Sequence, residues 1–434
     1  MAPSVASTGL LTDHYELTMV AGALHSGVAG RRSVFEVFAR HLPHGRRYGV
    51  VAGTGRLLDA LEAFSFGPAE RDSLRASGVV DDATLGYLES FRFTGDIWGY
   101  AEGECYFPGS PILVVDAPFG QAVVLETLVL SILNHDCAIA SAAARMAGAA
   151  GGRPLTEMGS RRTHELAAVA SARAAYLTGF AATSNLQAGR DYGVPTRGTS
   201  AHAFTLVHDS ERDAFAAQLA ALGTQSTLLV DTFDVAAAVR TAVELAGPSL
   251  GAVRIDSGDL AATAHQVRAL LDGLGAHGTK IVVTGDLDEY AIAALARAPV
   301  DAYGVGTALV TGSGAPTAAL VYKLVARAGA GGDLQPMAKR SVGKTGRGGR
   351  KWAVRRRDGD GVALAEVVTL APPEPSESDR PLLRPLVRGG VVVGREPLTA
   401  ARERHQQVMA ELPLSARRLS RGSPAIPTEF TPLP

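Results

Sequence analysis

Residues 228–256, LLVDTFDVAAAVRTAVELAGPSLGAVRID, contain the pattern that decides the fold. A short apolar run ends in an acid, an Ala-rich helical segment follows, and a second apolar run again ends in an acid. The pattern recurs at 280–298, and a further apolar run occupies 301–305. Wholly apolar strands that alternate with helices are typical of a parallel sheet covered on both faces. We therefore predict an α/β fold, specifically an irregular TIM-like parallel α/β barrel.

The segments on either side set the expected domain organisation. Weaker strand candidates at 154–159 and 196–199, with a helical run before them, extend the barrel to residues 121–325. We expect residues 1–120 to form an N-terminal α/β domain. Residues 326–434 are expected to form a basic Gly-rich loop and a C-terminal segment that packs with that domain, ending in the loosely ordered sequence SPAIPTEFTPLP.

Composition excludes several classes of protein. The 434-residue chain has a net charge of −1, which argues against a surface built to bind nucleic acid. Its two cysteines, Cys105 and Cys137, lack the CxxC spacing of a zinc or redox site. We predict neither a signal peptide at the N-terminus nor a membrane span, because charged residues interrupt the most apolar segment, 123–152. These observations predict a cytoplasmic protein.

Polar residues and glycines follow the predicted strands. In such a barrel the active site lies at the carboxyl ends of the strands, and glycines and helix N-termini there favour a phosphate-bearing ligand. Helix capping is the alternative role for Asp256, Ser257 and Asp286, since Asp and Ser are preferred caps. The strand-end residues are Glu157, Thr199, His202, Asp231, Asp256, Ser257, Gly285, Asp286, Gly304 and Gly306.

His202 lies in RGTSAHAF, just after a predicted strand end. A histidine at a barrel mouth is suited to nucleophilic or acid–base chemistry, because its ordinary pKa of about 6.5 lies near neutrality. An ordinary surface or core role remains the alternative.

A basic stretch at 339–357 contains nine Lys or Arg residues and no acid. It could be a solvated loop, a nucleic-acid-binding arm, or a clamp that orders on a polyphosphate. GKT at 343–345 is not a P-loop, because Ala338 stands where the first glycine is required and no strand precedes it. Gly304 and Gly306 do not begin a dinucleotide-binding GxGxxG motif, because Leu309 stands where the third glycine is required.

In this order, the motifs resemble the nicotinate phosphoribosyltransferase family over most of the chain. The carrying segments are LLTDHYELTM (10–19), FEVFAR (35–40), LETLVLSILNHDCAIASAAAR (125–145), EMGSRR (157–162), GFAATSNLQAG (179–189), GTSAH (198–202), RIDSGDL (254–260), TGDLDE (284–289), GVGTALV (304–310) and VYKLV (321–325).

The resemblance implies that nicotinate reacts with phosphoribosyl pyrophosphate to give nicotinate mononucleotide and pyrophosphate, a step of NAD salvage. It implies ATP as a co-substrate, Mg²⁺ as a cofactor, and a homodimer with shared active sites that binds neither nucleic acid nor membrane. The GTSAH motif identifies His202 as the residue that is transiently phosphorylated.

The resemblance also implies roles for individual residues. Tyr15 would stack on the pyridine ring from the neighbouring subunit, Thr199 and Arg254 would hold the nicotinate, and Arg161 or Arg162 would add positive charge. Asp256 and Asp286 would contact ribose hydroxyls or magnesium, with His202, Asp256 and Arg254 the catalytic set. The remaining substrate contacts would be Ser184 and Ser257, Gly285, Gly304 and Gly306 for the 5′-phosphate, and Arg40, Lys339, Lys344 and Lys351 for the pyrophosphate, partly from a second subunit.

Two segments depart from the family pattern. Met158 replaces the aromatic residue of the common EFG, and residues 344–351, KTGRGGRK, differ from the common KxTxPGxK around Thr345. A nicotinamide enzyme is the nearest alternative, but its acidic residue would fall on Ser184. A quinolinate enzyme and a nucleic-acid-binding protein on an inactive barrel are more distant alternatives.

Overall fold

A computed structural model of the protein describes residues 7–339, 347–374 and 376–431. The chain divides into two compact units: unit 1 comprises residues 1–138 and 317–434, and unit 2 comprises residues 139–316. The borders expected from the sequence were 120/121 and 325/326. The N- and C-terminal segments belong to one compact unit.

The first part of unit 1 is a mixed α/β segment. It ends in a long helix that continues into unit 2. Its elements are α1 (His14–His25), β1 (Arg32–Ala39), β2 (Gly49–Val50), α2 (Thr54–Glu62), α3 (Pro68–Ser77), α4 (Asp82–Glu89), β3 (Asp96–Tyr100), β4 (Cys105–Tyr106), β5 (Leu113–Pro118), α5 (Phe119–Val123) and α6 (Glu126–Ala150).

Unit 2 alternates strands with helices. Its elements are β6 (Leu155–Glu157), α7 (Glu165–Leu177), β7 (Ala182–Thr183), α8 (Leu186–Tyr192), α9 (His202–Leu206), α10 (Glu211–Leu222), β8 (Thr227–Leu229), α11 (Val235–Ala246), β9 (Ala252–Ile255), α12 (Leu260–Gly273), β10 (Lys280–Val283), α13 (Glu289–Ala294), β11 (Ala302–Val305) and α14 (Thr307–Val310).

The strands of unit 2 form one parallel sheet in the order β7-β6-β11-β10-β9-β8. Strands that follow each other along the chain are neighbours, and the first strand, β6, pairs with the last, β11, as a barrel requires. Beyond β7 a single parallel bridge joins Thr183 to Thr196, and no ladder between β7 and β8 is formed by the described residues. The predicted α/β class is confirmed, as a curled parallel half-barrel.

Unit 1 is completed by the last third of the chain. Its elements are β12 (Leu320–Ala328), β13 (Leu334–Pro336), β14 (Trp352–Arg357), β15 (Ala363–Thr369), β16 (Asp379–Pro381), β17 (Leu383–Arg388), β18 (Val391–Val392), α15 (Leu398–Glu411) and β19 (Thr428–Phe430). A seven-stranded antiparallel sheet, β13-β12-β1-β5-β3-β17-β18, interleaves strands from the two ends of the chain. A four-stranded sheet, β16-β14-β15-β19, and the pair β2-β4 complete the unit.

Two sequence expectations are wrong in unit 1. The basic stretch is not a loop throughout, because its last six residues form β14, where Arg355 is fully buried. The described part of the C-terminal sequence is not loose, because β19 pairs in parallel with β15. In both cases the partner strands are distant in the chain, so local sequence did not reveal the pairing.

The segment Phe119–Ala150 is long and apolar enough to cross a membrane by length and composition alone. However, 67% of its most apolar window is buried inside the protein, as in the core helix of a soluble protein. The helix places the buried Asp136 and Cys137 in unit 1.

Candidate active site

The strand-end acids of unit 2 are not helix caps. The caps are supplied by acids further along each turn: the Asp234 carboxylate accepts from the Ala237 amide at α11, and Asp259 does the same at α12. Asp288 caps α13. The capping alternative for Asp256, Ser257 and Asp286 is therefore wrong, and their side chains are available for other contacts.

Asp231 and Asp256, at the ends of adjacent strands, are joined by hydrogen bonds. The Asp231 Oδ2 atom accepts from the Asp256 amide and from the Ser257 hydroxyl, each at 2.8 Å. Asp256 accepts in turn from the Thr284 hydroxyl at the end of the next strand. The network holds the buried Asp231 carboxylate, whose side chain is 4% exposed, beside the Asp256 carboxylate, which faces solvent and whose side chain is 28% exposed.

His202 is the first residue of α9, and its imidazole faces this carboxylate pair. Its Nε2 atom lies 3.9 Å from Asp231 Oδ1 and 3.8 Å from Asp256 Oδ2. Its Nδ1 atom lies 3.1 Å from the Thr232 hydroxyl. Asp231 Oδ1 is buried and has no hydrogen-bond partner among the described residues. Two carboxylates on one side thus favour the tautomer that carries its proton on Nε2.

Arg254, on β9, supplies a buried positive charge next to this pair. It is 8% exposed and donates to two neutral oxygens, the Thr199 hydroxyl and, at 3.1 Å, the Ser200 carbonyl. The nearest carboxylate oxygen, on Asp256, is 4.0 Å from Nη2. Burial lowers the pKa of Arg254, nearby acids raise it, and the positive charge of Arg161 lowers it again. Since two cations approach each other here, the site is suited to an anion.

Glu157 holds the segment that carries Arg161 and Arg162. Its fully buried carboxylate accepts from the Gly159 amide and from the Thr183 hydroxyl. Burial raises the pKa of this carboxyl above its ordinary value, although both hydrogen bonds lower it. The Ser184 amide donates to the Glu157 carbonyl at 2.8 Å. One buried acid therefore fixes two strand ends of the site.

Three predicted phosphate contacts are glycines, of which Gly285 and Gly304 are tightly packed and Gly306 is not. A Cβ atom on Gly285 would collide with the Asp256 carbonyl oxygen, and one on Gly304 would lie 2.7 Å from the Met158 sulfur. Gly285 also has φ of 101°, which favours glycine. Gly306 has room for a side chain but stands at the start of α14. Asp286 is exposed and lies apart from the network.

Tyr15 lies in unit 1, near the start of α1, and is 44% exposed. The next residue, Glu16, is fully buried and accepts from the Thr127 amide at 2.8 Å and its hydroxyl at 2.6 Å. Partial burial and then the charges of Glu126 and Glu16 raise the pKa of Tyr15 to about 12, so its ring stays neutral. An exposed aromatic ring is thereby held on an anchored helix.

Three of the predicted pyrophosphate contacts line one cavity of unit 1. Arg40, Lys339 and Lys351 surround a space of about 760 Å³. Lys351, however, is buried and pairs with Glu36 at 2.8 Å, and both side chains are under 5% exposed. Lys344 lies outside the described residues. The cavity thus keeps Arg40 and Lys339 as cations without a carboxylate partner within the described ranges.

The structure adds contacts that sequence reasoning did not assign. Asp231 was recognised as a strand-end acid, but its hydrogen bonds to Asp256 and Ser257 were not foreseen. Thr232 and Thr284 each follow a strand in the motifs LLVDT and KIVVT, and that position was the available signal. The sequence also contained a signal for the pairing of Glu36, because an acid within the apolar run FEVFAR needs a buried partner.

Comparison with known proteins identifies the family of the chain. The model of the nicotinate phosphoribosyltransferase N-terminal domain matches residues 10–134, and the model of the nicotinate phosphoribosyltransferase family matches residues 154–348. A nicotinate phosphoribosyltransferase of Mycobacterium tuberculosis is 59% identical over 98% of this chain and 95% of its own length. One of Bacillus subtilis is 37% identical over 74% of this chain and 67% of its own length.

Solved structures show the same similarity. Human nicotinic acid phosphoribosyltransferase matches with a TM-score of 0.83 and 27% identity, covering 97% of both chains. A nicotinate-nucleotide pyrophosphorylase from Pyrococcus furiosus matches with a TM-score of 0.77 and 25% identity, covering 97% of this chain and 100% of its own. Sequence, family models and fold agree: the chain belongs to the nicotinate phosphoribosyltransferase family.

Proposed function

We propose that the protein transfers a phosphoribosyl group from phosphoribosyl pyrophosphate to nicotinate, giving nicotinate mononucleotide and pyrophosphate for NAD salvage. The observation that carries this proposal is the electrostatic environment of Arg254. It is a buried guanidinium that is hydrogen-bonded only to neutral oxygens, with a second arginine close enough to lower its pKa.

An aromatic carboxylate fits this site better than an amide does. A carboxylate accepts hydrogen bonds only, and arginine can donate two in parallel. Arg254 donates both of its hydrogen bonds, to Thr199 and Ser200, through Nη1, and the nearest carboxylate oxygen is 4.0 Å from Nη2, so Nη2 is suited to donate to a ligand. Ser184, at the end of β7, offers no negative charge to a carboxamide NH₂ group. These features favour nicotinate over nicotinamide.

We propose a homodimer in which Tyr15 of one subunit stacks on the ring bound to the other. The support is its 44% exposed, neutral ring on an anchored helix. Mixing Tyr15→Ala with Arg254→Gln subunits would restore activity if sites are shared, because some mixed dimers keep one intact site. Neither homodimer would be active alone. If mixing restores nothing while exchange of subunits is verified, the shared site is refuted.

The ribosyl transfer breaks the bond from C1′ to the diphosphate, so positive charge develops on the ribose and negative charge on the leaving group. Asp256 is partly exposed and fixed by Thr284, which suits it to ribose hydroxyls. Backbone amides at Gly285, after β10, and at Gly304, in β11, would hold the 5′-phosphate. Arg40 and Lys339 supply positive charge for the diphosphate.

We propose that Mg²⁺ enters with the sugar diphosphate. The described residues contain no group of three His, Cys, Asp or Glu side chains that could hold a metal ion. Magnesium commonly uses one or two carboxylates plus substrate phosphates, and Asp286 is exposed at the end of β10 to provide one. When bound, the ion would neutralise charge on the departing diphosphate.

We propose that ATP phosphorylates His202 at Nδ1. A phosphoryl group on Nε2 would lie against the Asp231 and Asp256 carboxylates, 3.9 and 3.8 Å away, and would be repelled. On Nδ1 it would lie on the side of Thr232, and the two carboxylates would stabilise the positive charge that develops on the ring. Nuclear magnetic resonance of the phosphorylated protein would distinguish the isomers, and phosphorylation at Nε2 would contradict this assignment.

The test of the function is pyrophosphate release with nicotinate or nicotinamide, each with and without ATP. We expect release with nicotinate, stimulation by ATP, and little release with nicotinamide. His202→Ala should keep slow transfer and lose the stimulation. Equal turnover of nicotinamide would overturn the substrate, and CO₂ release from quinolinate would indicate a different enzyme. Salt-dependent binding of nucleic acid without pyrophosphate release would instead favour an inactive barrel.

We also propose that the reaction takes place in the cytoplasm. The support is that Cys105 and Cys137 are buried and form no disulfide within the described residues, as is usual in a reducing compartment. Fractionation of cells with an antibody to the protein tests this, and recovery from the extracellular medium would contradict it.

A further inference from the structure

Two arginine-containing segments of unit 1 lie against each other, although more than 370 residues separate them in the chain. The first is HLPHGRR (41–47), which follows β1, and the second is RRLSRGSPA (417–425), which follows α15. The Gly422 amide donates to the Gly45 carbonyl at 3.0 Å. We call the two paired segments the arginine clasp.

The Arg47 side chain reaches across the clasp. Its guanidinium donates to the Ser423 carbonyl and to the Ser420 hydroxyl, each at 3.4 Å. Both contacts are long for hydrogen bonds. A Cβ atom on Gly422 would lie within 2.7 Å of three guanidinium atoms, so the absence of a side chain there lets Arg47 pass. The guanidinium is therefore held beside the Ser420 hydroxyl, and its two acceptors are neutral.

The clasp carries positive charge that the described residues do not compensate. Arg417, Arg418 and Arg421 are exposed. Within the described ranges no carboxylate forms an ion pair with any of these three or with Arg47. Guanidinium groups bind phosphate through parallel, charge-assisted hydrogen bonds. Arginines gathered around one hydroxyl are thus suited to a phosphoryl group attached to that hydroxyl.

Ser420 is also accessible to an enzyme that could attach such a group. It is exposed, and residues 418–427 belong to no helix or strand. Arg417 and Arg418 stand three and two residues before it, and Arg421 follows it directly. Protein kinases select their substrates partly by charge pattern. This pattern fits a serine kinase whose substrate groove is acidic.

We propose that Ser420 is a phosphorylation site for an arginine-directed serine kinase and that Arg47 binds the resulting phosphoserine. In the transfer, the Ser420 Oγ atom attacks the γ-phosphorus of ATP, and the bond from that phosphorus to the β–γ bridging oxygen breaks. ADP leaves with the electron pair, and the hydroxyl proton passes to the base of the kinase. The phosphate replaces one long contact to Arg47 by charge-assisted hydrogen bonds, which tie the two segments of the clasp together.

The first test is phosphorylation of the full chain with Mg²⁺, ATP and a purified arginine-directed serine kinase, followed by mass spectrometry of acid-treated peptides. Acid hydrolyses phosphohistidine but not phosphoserine, so the result is independent of any phosphorylation of His202. We expect phosphate on Ser420 and at least a tenfold lower rate in Arg418→Ala. Ser376, exposed beside Glu377, is the control serine and should stay unmodified. Absence of phosphate from Ser420, or equal modification of Ser376, would overturn the proposal.

The second test measures the contact to Arg47. Phosphorus nuclear magnetic resonance follows the second ionisation of the phosphoserine, and a neighbouring guanidinium favours the more highly charged form. The titration midpoint should therefore move to higher pH in Arg47→Gln, and by less in Arg47→Lys, which keeps the charge but loses the planar fork. Arg240→Gln, at an exposed position of α11, is the control and should not move it. A midpoint unchanged in both Arg47 variants would overturn the proposal.

Discussion

Arg254 in unit 2 and Arg355 in unit 1 are both buried, but their surroundings differ. The Arg355 guanidinium lies 3.1 Å from Glu366 and 3.5 Å from Glu104, and those charges outweigh burial and raise its pKa. The nearest carboxylate to Arg254 is 4.0 Å away, and burial lowers its pKa. Within the described residues Nε has no hydrogen-bond partner in either arginine, so the difference lies in charge compensation.

This difference separates a structural charge from a charge kept for a ligand. Buried ion pairs make unfolding costly when one partner is removed, because the other charge stays buried alone. A buried charge without an acid partner destabilises the fold and persists where a bound anion compensates it. The following four predictions test this comparison.

The largest expected effect is on stability. Arg355→Ala leaves Glu366 and Glu104 without their shared cation and should lower the free energy of unfolding by about 3–5 kcal/mol. The adjacent Arg356 has a side chain 44% exposed and pairs with Asp379. Arg356→Ala should therefore cost less than about 1 kcal/mol in the same chemical denaturation experiment. Equal losses of unfolding free energy in the two variants would contradict the distinction between the buried and the exposed ion pair.

Arg254→Gln should affect activity rather than stability. Loss of a buried charged contact to the substrate costs about 2–5 kcal/mol, so kcat/KM for nicotinate should fall about 30-fold or more. The free energy of unfolding should change much less than in Arg355→Ala, since the nearest carboxylate oxygen to Arg254 is 4.0 Å from Nη2. Arg268→Gln, which disrupts a partly exposed pair with Asp272, is the control. A large loss of stability in Arg254→Gln would assign the residue to structure.

His405 makes the Arg355 region sensitive to acid. The imidazole is buried and donates from Nδ1 to the Gly103 carbonyl, and burial lowers its pKa to about 4. Because the folded pKa lies below the ordinary 6.5, the unfolded state binds the proton more readily. Stability is therefore full above pH 6.5 and falls toward pH 4, by about 3 kcal/mol from this residue.

Denaturation of His405→Gln between pH 7 and pH 4 measures this contribution. The variant should lose less stability than the unmodified chain over that interval. An identical pH dependence would show that His405 is not the acid-sensitive group. A substitution of His265, exposed on α12 in unit 2, controls for the loss of a histidine elsewhere in the chain.

The smallest effect is expected for Asp231→Asn. The amide keeps the shape of Asp231 but removes the charge that faces His202 Nε2, which should reduce phosphohistidine formation about tenfold. Transfer measured without ATP should change little, because Asp231 acts through His202. If both rates fall equally, Asp231 supports the whole strand end instead of the histidine alone.

The main features of unit 2 were predictable from sequence because its strands are short, apolar and separated by capped helices. The positions of Arg254 in β9 and of Asp256 directly after it follow from that local pattern, whereas His202 begins α9 and follows no strand of the described residues. The antiparallel sheet of unit 1 was harder to predict from sequence, because β1 pairs with β12 across nearly 300 residues. No local pattern encodes such a pairing, and so the cavity over these strands was not foreseen.

By itself, the sequence determined the α/β class, the edge of the sheet that carries the polar residues, and the family. These depend on hydrophobic periodicity and on residue types next to each other in the chain. The tertiary structure decided which charges are compensated: Glu36 neutralises Lys351, whereas only neutral oxygens hold Arg254. The physical reason is that electrostatic compensation depends on distances of a few ångströms between residues far apart in sequence.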